Sequence, residues 1–170
     1  SDECSSDLET TGQYSGEVIS CTRGEILVLV PDEAVDTADS IEVSFSGGTI
    51  LPGTVKQKDS VADMALVSVN AAELEDRQYE RIKELPLGNS YGVRQGDLVV
   101  AIGSPAGVTG SSGYGAISYV VRSTKAVDGS TRIFYTHTAA DSQAGTFLIN
   151  TDGELIGWAV DDYGQDRKST

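Results

Sequence analysis

The stretch DSQAGTFLINTDGELIG, Asp141–Gly157, places an apolar run (Thr146–Asn150), an Asp152-Gly153 turn and a second apolar run (Leu155–Val160) in direct succession. Two short β-forming runs joined through an Asp-Gly turn read as an antiparallel hairpin. Working outward, similar runs recur about every ten residues. They are Gly16–Ser20, Ile26–Val30, Ile41–Phe45, Thr54–Lys58, Ala65–Val69, Leu98–Ile102, Ala116–Val121 and Ile133–Thr136, with Gly47-Gly48 and Asp128-Gly129 as further turn signals. Many short strands with glycine-bearing turns between them are the mark of an all-β barrel or sandwich. Only Glu73–Leu85, ELEDRQYERIKEL, differs: it is charged, lacks glycine and predicts a short helix.

The chain has 170 residues, 12 Lys and Arg against 26 Asp and Glu, and a formal net charge of −14. That length suits one domain or two small barrels. No basic stripe is present, which argues against binding to phosphate backbones or anionic lipid. The acidic surplus reads first as a solvated surface. The longest apolar runs, Ile26–Val30 and Leu98–Ile102, have strand length, well below the ~20 residues a membrane helix needs. The chain opens on the polar SDECSSDLETTG without a methionine, the pattern expected of a mature fragment whose targeting segment lies outside it.

Cys4 and Cys21 are the only cysteines and His137 the only histidine. The two cysteines could pair, stapling the N-terminal extension at a gain of up to ~3 kcal/mol in the chain-entropy model. The alternatives are a partly buried free Cys21 and an unconstrained Cys4. Without CxxC or HxxxH spacing no metal site is expected, and no cofactor either.

Five segments together resemble trypsin-like serine proteases of the HtrA type. Asp141–Gly157 is similar to the nucleophile loop GNSGGPLLNxDGEVIG, and Glu25–Phe45 (EILVLVPDEAVDTADSIEVSF) to ELLILTNYHVVxDAxSIxVTF. Asp59–Val69 (DSVADMALVSV) is similar to DxxxDLALLKV. Leu87–Gly107 and Tyr114–Ser118 (YGAIS) resemble LGDSxxVxxGxxVIAIGNPxG and TxGIVS. The resemblance implies an all-β fold of two packed six-stranded antiparallel barrels and export across a membrane to an extracytoplasmic location. It also suggests boundaries: an N-terminal extension over 1–11, barrel one over about 12–70, a connector over 71–90, barrel two over 91–161 and a loose tail over 162–170.

In such enzymes an imidazole takes the proton from a serine hydroxyl, an aspartate orients that imidazole, and two backbone N–H groups receive the oxyanion. The resemblance puts these roles on Glu33, Asp63 and Ala144, so only the aspartate is of the expected type. A methyl group cannot attack a carbonyl carbon. Two carboxylates ~4 Å apart would repel by ~1 kcal/mol in bulk water and ~4 at an effective dielectric of 20. Glu33 is therefore expected to swing outward, take up a proton or find a cation, and to be a solvated loop residue rather than a base. Asp63 reads either as a remnant of the triad or as a residue held by backbone hydrogen bonds at a strand start. His137, seven residues before Ala144, reads as a hydrogen-bonded, half-exposed side chain rather than a relocated base.

The oxyanion-loop equivalents are Ser142, Gln143 and Gly145. Ser142 replaces the glycine of the motif, which predicts a collapsed or flipped hole. The second-barrel edge Gly157, Trp158, Ala159 and Val160 is where the resemblance implies that a peptide adds as an extended strand. Asp161 and Asp162 beside it would favour a basic peptide. The resulting expectation is a non-catalytic trypsin-like domain, a pseudoprotease, that binds peptides or unfolded protein segments or regulates, without nucleic-acid or direct membrane contact. The alternative is an HtrA-like serine endopeptidase whose nucleophile has been replaced by Ala144.

Overall fold

The computed structural model describes residues 13–103, 111–125, 131–139 and 144–160. The described residues as far as Glu84 form one compact unit and Leu85–Val160 form a second.

In the first unit, β1 (Glu17–Cys21), β2 (Glu25–Pro31), β3 (Ile41–Ser44), β4 (Ile50–Asp59) and β5 (Met64–Asn70) make one antiparallel sheet. Its order is β1-β2-β5-β4-β3. Alternation along β2 and β5 sends Ile26, Val28, Ala65, Val67 and Val69 into a core shared with Val35 and Phe45. Each fully buried aliphatic side chain there contributes about 1.5–3 kcal/mol relative to exposure. The run predicted as a helix forms α1 (Asp76–Arg81), opened by a reciprocal capping box between Glu75 and Gln78. This helix lies on the strand ends of its own unit: Arg23 pairs with Asp76 at 2.7 Å, and the Tyr79 hydroxyl donates to the Cys21 carbonyl at 3.2 Å.

In the second unit, β6 (Leu98–Gly103), β7 (Ser111–Lys125), β8 (Thr131–His137), β9 (Thr146–Ile149) and β10 (Leu155–Trp158) are ordered β10-β9-β6-β7-β8. Val99, Ala101, Ile117, Leu148 and Ile156 build its core with Val93. The hairpin read from Asp141–Gly157 is present as β9 and β10, paired Leu155 with Ile149 and Trp158 with Phe147.

All ten runs named from the sequence carry strands. Among the described residues each sheet has five strands. Two of these strands are long and irregular in register, and each pairs with a different neighbour along its two parts. The ten-residue β4 pairs with β3 over Ile50–Gly53 and with β5 over Gly53–Asp59, bending at a register shift between Val55 and Gln57. Likewise β7 pairs with β6 as far as Ala116 and with β8 from Ile117 onward. A bulge bends its strand and so lets it turn from one partner to the next. Among the described residues no helix is long and apolar enough to cross a membrane.

Candidate active site

The first unit brings Glu33 and Asp63 to the same end of its sheet. β2 ends at Pro31, opposite Met64 at the start of β5. Immediately beyond, Asp32–Ala34 forms a 3-10 turn. The Asp32 N–H donates to the Asp63 carbonyl at 3.0 Å, and the Val35 and Asp36 N–H groups donate to the Asp32 carbonyl at 3.0 and 3.1 Å. The turn carrying Glu33 is thus closed by its own backbone bonds and joined by one to the residue that precedes β5. Glu33 is exposed and Asp63 half-buried. Lys58 pairs with Asp36 beside this turn.

Asp63 has φ 58°, the one non-glycine residue with positive φ among those described. Aspartate and asparagine tolerate this left-handed region better than other side chains. It closes the β4–β5 hairpin, whose loop opens with the Asp59 carboxylate accepting the Val61 and Ala62 N–H groups at 3.0 and 3.1 Å. An aspartate at 63 therefore has a backbone reason to be there. The sequence held one signal for this turn, the spacing of Asp59 and Asp63 around a loop beginning Ser-Val, but nothing in it distinguished a triad role from a turn role.

The second unit carries Ala144, half-buried, followed by Gly145, buried with φ 89°. That φ is readily reached only by glycine. From Thr146 the chain enters β9, where Thr146 is opposite Gly103. Phe147, next along β9, is fully buried. The Ala159 N–H donates to the Thr146 carbonyl at 3.0 Å, so the first residue of β9 and the segment that follows β10 are direct neighbours. All four of those edge residues are half-buried. β10 is the end strand of the sheet. Its Leu155 is already engaged by the Pro86–Gly88 segment, which receives the Leu155 N–H at 2.7 Å and donates the Gly88 N–H at 2.8 Å. The Ile156 carbonyl accepts the Ser90 hydroxyl at 3.1 Å.

Ser142 and Gln143, with the hole geometry expected of them, lie outside the described residues, as do Cys4, Asp161 and Asp162. Cys21, half-buried at the end of β1, has its thiol pushed to a higher pKa by burial. His137 ends β8, half-buried, with its pKa lowered by burial. Its Nδ1 accepts the Ala139 N–H at 3.2 Å, which makes the imidazole the neutral tautomer protonated on Nε2. Among the described residues no group of three or more His, Cys, Asp or Glu is placed to hold a metal ion.

Residues 15–157 match the family described as the trypsin-like peptidase domain. The chain is similar to the probable periplasmic serine protease do/HhoA-like of Haemophilus influenzae, 31% identical over 148 residues that cover 86% of this chain and 30% of that protein. It is also similar to the serine protease Do-like HtrA of Bacillus subtilis, 29% identical over 164 residues, 92% of this chain and 35% of the other. The chain thus spans about a third of the length of these relatives. Among solved structures, the HtrA-type protease AlgW with decapeptide superposes with a TM-score of 0.64 at 26% identity, covering 84% of this chain and 41% of that one.

Proposed function

The chain belongs to the trypsin-like peptidase family, of the HtrA/DegP type, and from that premise we propose that it is an extracytoplasmic polypeptide-binding domain that stops short of acyl transfer. The single observation carrying this reading is Ala144, which precedes the positive-φ Gly145 at the turn where the family motif has its serine. A backbone built for the nucleophile turn, without a nucleophile on it, supports binding without cleavage. Glu33 in place of the imidazole points the same way.

Extended peptides would add beside β10 at Trp158–Val160, where main-chain groups rather than the triad make the contact. AlgW, an HtrA-type protease, is seen with a decapeptide. The location follows the Haemophilus influenzae relative, which is named periplasmic. The division into barrel one, connector and barrel two belongs to this reading as well, as does the closure of each sheet into a six-stranded barrel by segments beyond those described.

The relatives favour a second reading. Each curated relative named above is called a serine protease, and this kinship supports an endopeptidase, with alanine standing at 144 in place of its nucleophile, more strongly than it supports a pseudoprotease. One experiment separates the two. Fluorescently labelled unfolded casein is titrated with the chain, and its cleavage is followed for the chain and for Ala144→Ser. The binding reading expects saturable binding and no cleavage by either form. Cleavage by Ala144→Ser establishes the endopeptidase, and absence of binding by both refutes the binding domain.

A further inference from the structure

The chain leaving β8, on its way toward residue 144, passes β7 with unusual closeness. A Cβ placed on Gly115, in β7, would lie 2.3 Å from the Ala139 nitrogen, 2.5 Å from the Thr138 carbonyl carbon and 2.6 Å from the Ala139 Cα. All three are backbone atoms, so no rotamer change could relieve the overlap. The chain leaving β8 is therefore laid directly upon the bare backbone of Gly115.

Hydrogen bonds to Ala116 hold it there, and one to His137 shapes it. The Thr138 N–H donates to the Ala116 carbonyl at 3.0 Å. The Ala116 N–H donates to the Thr138 Oγ1 at 3.0 Å. The Ala139 N–H donates to Nδ1 of His137 at 3.2 Å. The last has the topology of an asparagine side chain bonding the backbone two residues on, because Nδ1 of histidine and Oδ1 of asparagine are each two bonds from Cβ. Residue 139 lies five positions before Ala144, and the exit from the turn is fixed separately by Gly145 and by the pairing of Thr146 with Gly103.

We propose that Gly115, Thr138 and His137 form a clamp that sets where the chain enters the turn bearing residue 144, and are positioning residues for whatever that turn presents to a bound polypeptide. The chain's one imidazole thereby has a function that is not proton transfer. This rests on the binding reading for its purpose but not for its geometry. Gly115 is required for contact rather than for conformation: alanine fits β7 dihedrals but not the space.

The test is hydrogen–deuterium exchange of the full chain, resolved by peptide, with casein affinity measured in parallel. Gly115→Ala and His137→Phe are expected to speed exchange at least tenfold across 138–147 while the β2 and β5 amides keep their protection. His137→Asn, which restores the acceptor, should behave as the parent chain. Should Gly115→Ala fail to fold, Thr138→Val supplies the same comparison by deleting the hydroxyl oxygen that accepts the Ala116 N–H. Unchanged exchange over 138–147 in Gly115→Ala (or in Thr138→Val) and His137→Phe overturns the clamp, as does an Asn variant no better protected than the Phe variant. A parent chain that binds no casein sinks the proposed function yet leaves the exchange arm intact. Where the parent does bind, the clamp variants are expected to weaken it at least tenfold and His137→Asn to leave it unchanged; undiminished binding despite faster exchange overturns the positioning role.

Discussion

The turn bearing Glu33 in the first unit and the turn bearing Ala144 in the second are held by different means. At the end of the first sheet, the Glu33 turn hangs on local backbone bonds from Asp32 to Asp63 and on one residue that accepts a left-handed φ. In the second unit, burial adds to the bonds around the Ala144 turn: of the residues that follow it, Phe147 is fully buried and Thr146 nearly so. The position matched to the imidazole carries Glu33 and that matched to the serine carries Ala144, while an aspartate of the expected type stands at 63. Its φ of 58° gives it work as a turn residue, so its presence is no sign of an active triad. Local bonding tolerates exchange of an exposed side chain such as Glu33, whereas a packed turn transmits any change to the sheet.

The contrast makes graded expectations. Phe147→Ala should cost about 3–5 kcal/mol by urea denaturation, the usual range for emptying an aromatic site in a core. A cost under ~1 kcal/mol would mean that the second-unit turn is not held by packing. Next is Gly145→Ala, which forces a Cβ onto φ 89° and should cost about 1–2 kcal/mol. In the first unit Asp63→Ala should cost about 1 kcal/mol, with Asp63→Asn and Asp63→Gly within ~0.5 of the parent because both accept positive φ. If Asn and Gly are as damaging as Ala, the carboxylate itself matters and the turn explanation fails.

A pH experiment sharpens the comparison from the side of the first unit alone. Glu17, half-buried on β1 opposite Leu29, has its pKa raised to about 7 by burial, from 4.5. The folded state then binds a proton that the unfolded state has released between these values. Stability accordingly falls as pH rises from about 4.5 to about 7. Below that window the protonated carboxyl costs nothing extra, and above it the charge is fully penalised. Allowing for partial solvent screening the penalty is about 1–2 kcal/mol. Glu17→Gln should raise the melting temperature at pH 8 and leave it unchanged at pH 4. An equal rise at both would show that burial of the charge is not the cause.

Most of the fold was legible because period-two alternation and Asp-Gly turns are local signals, and each of the ten runs did carry a strand. The strand count was less accessible. A bulge such as that between Val55 and Gln57 leaves no mark in composition, and whether β4 is one bent strand or two depends on pairing partners far along the chain. At the site, the positions of Glu33, Asp63 and Ala144 were available only by resemblance. The positive φ of Asp63 and the clash that would follow a side chain at Gly115 are tertiary facts. Within the sequence Gly115 is one of 19 glycines, and nothing near it tells that Ala139 will lie against it.

The most direct measurement is intact-mass analysis after incubation with a fluorophosphonate probe, applied to the parent chain, Ala144→Ser, Glu33→His and the double variant. Losing both base and nucleophile should remove about six orders of magnitude of turnover. The account predicts no adduct on the parent or on either single variant, and slow, partial labelling of the double variant only. Stoichiometric labelling of Ala144→Ser with Glu33 still in place would mean that another group serves as base, and would contradict it.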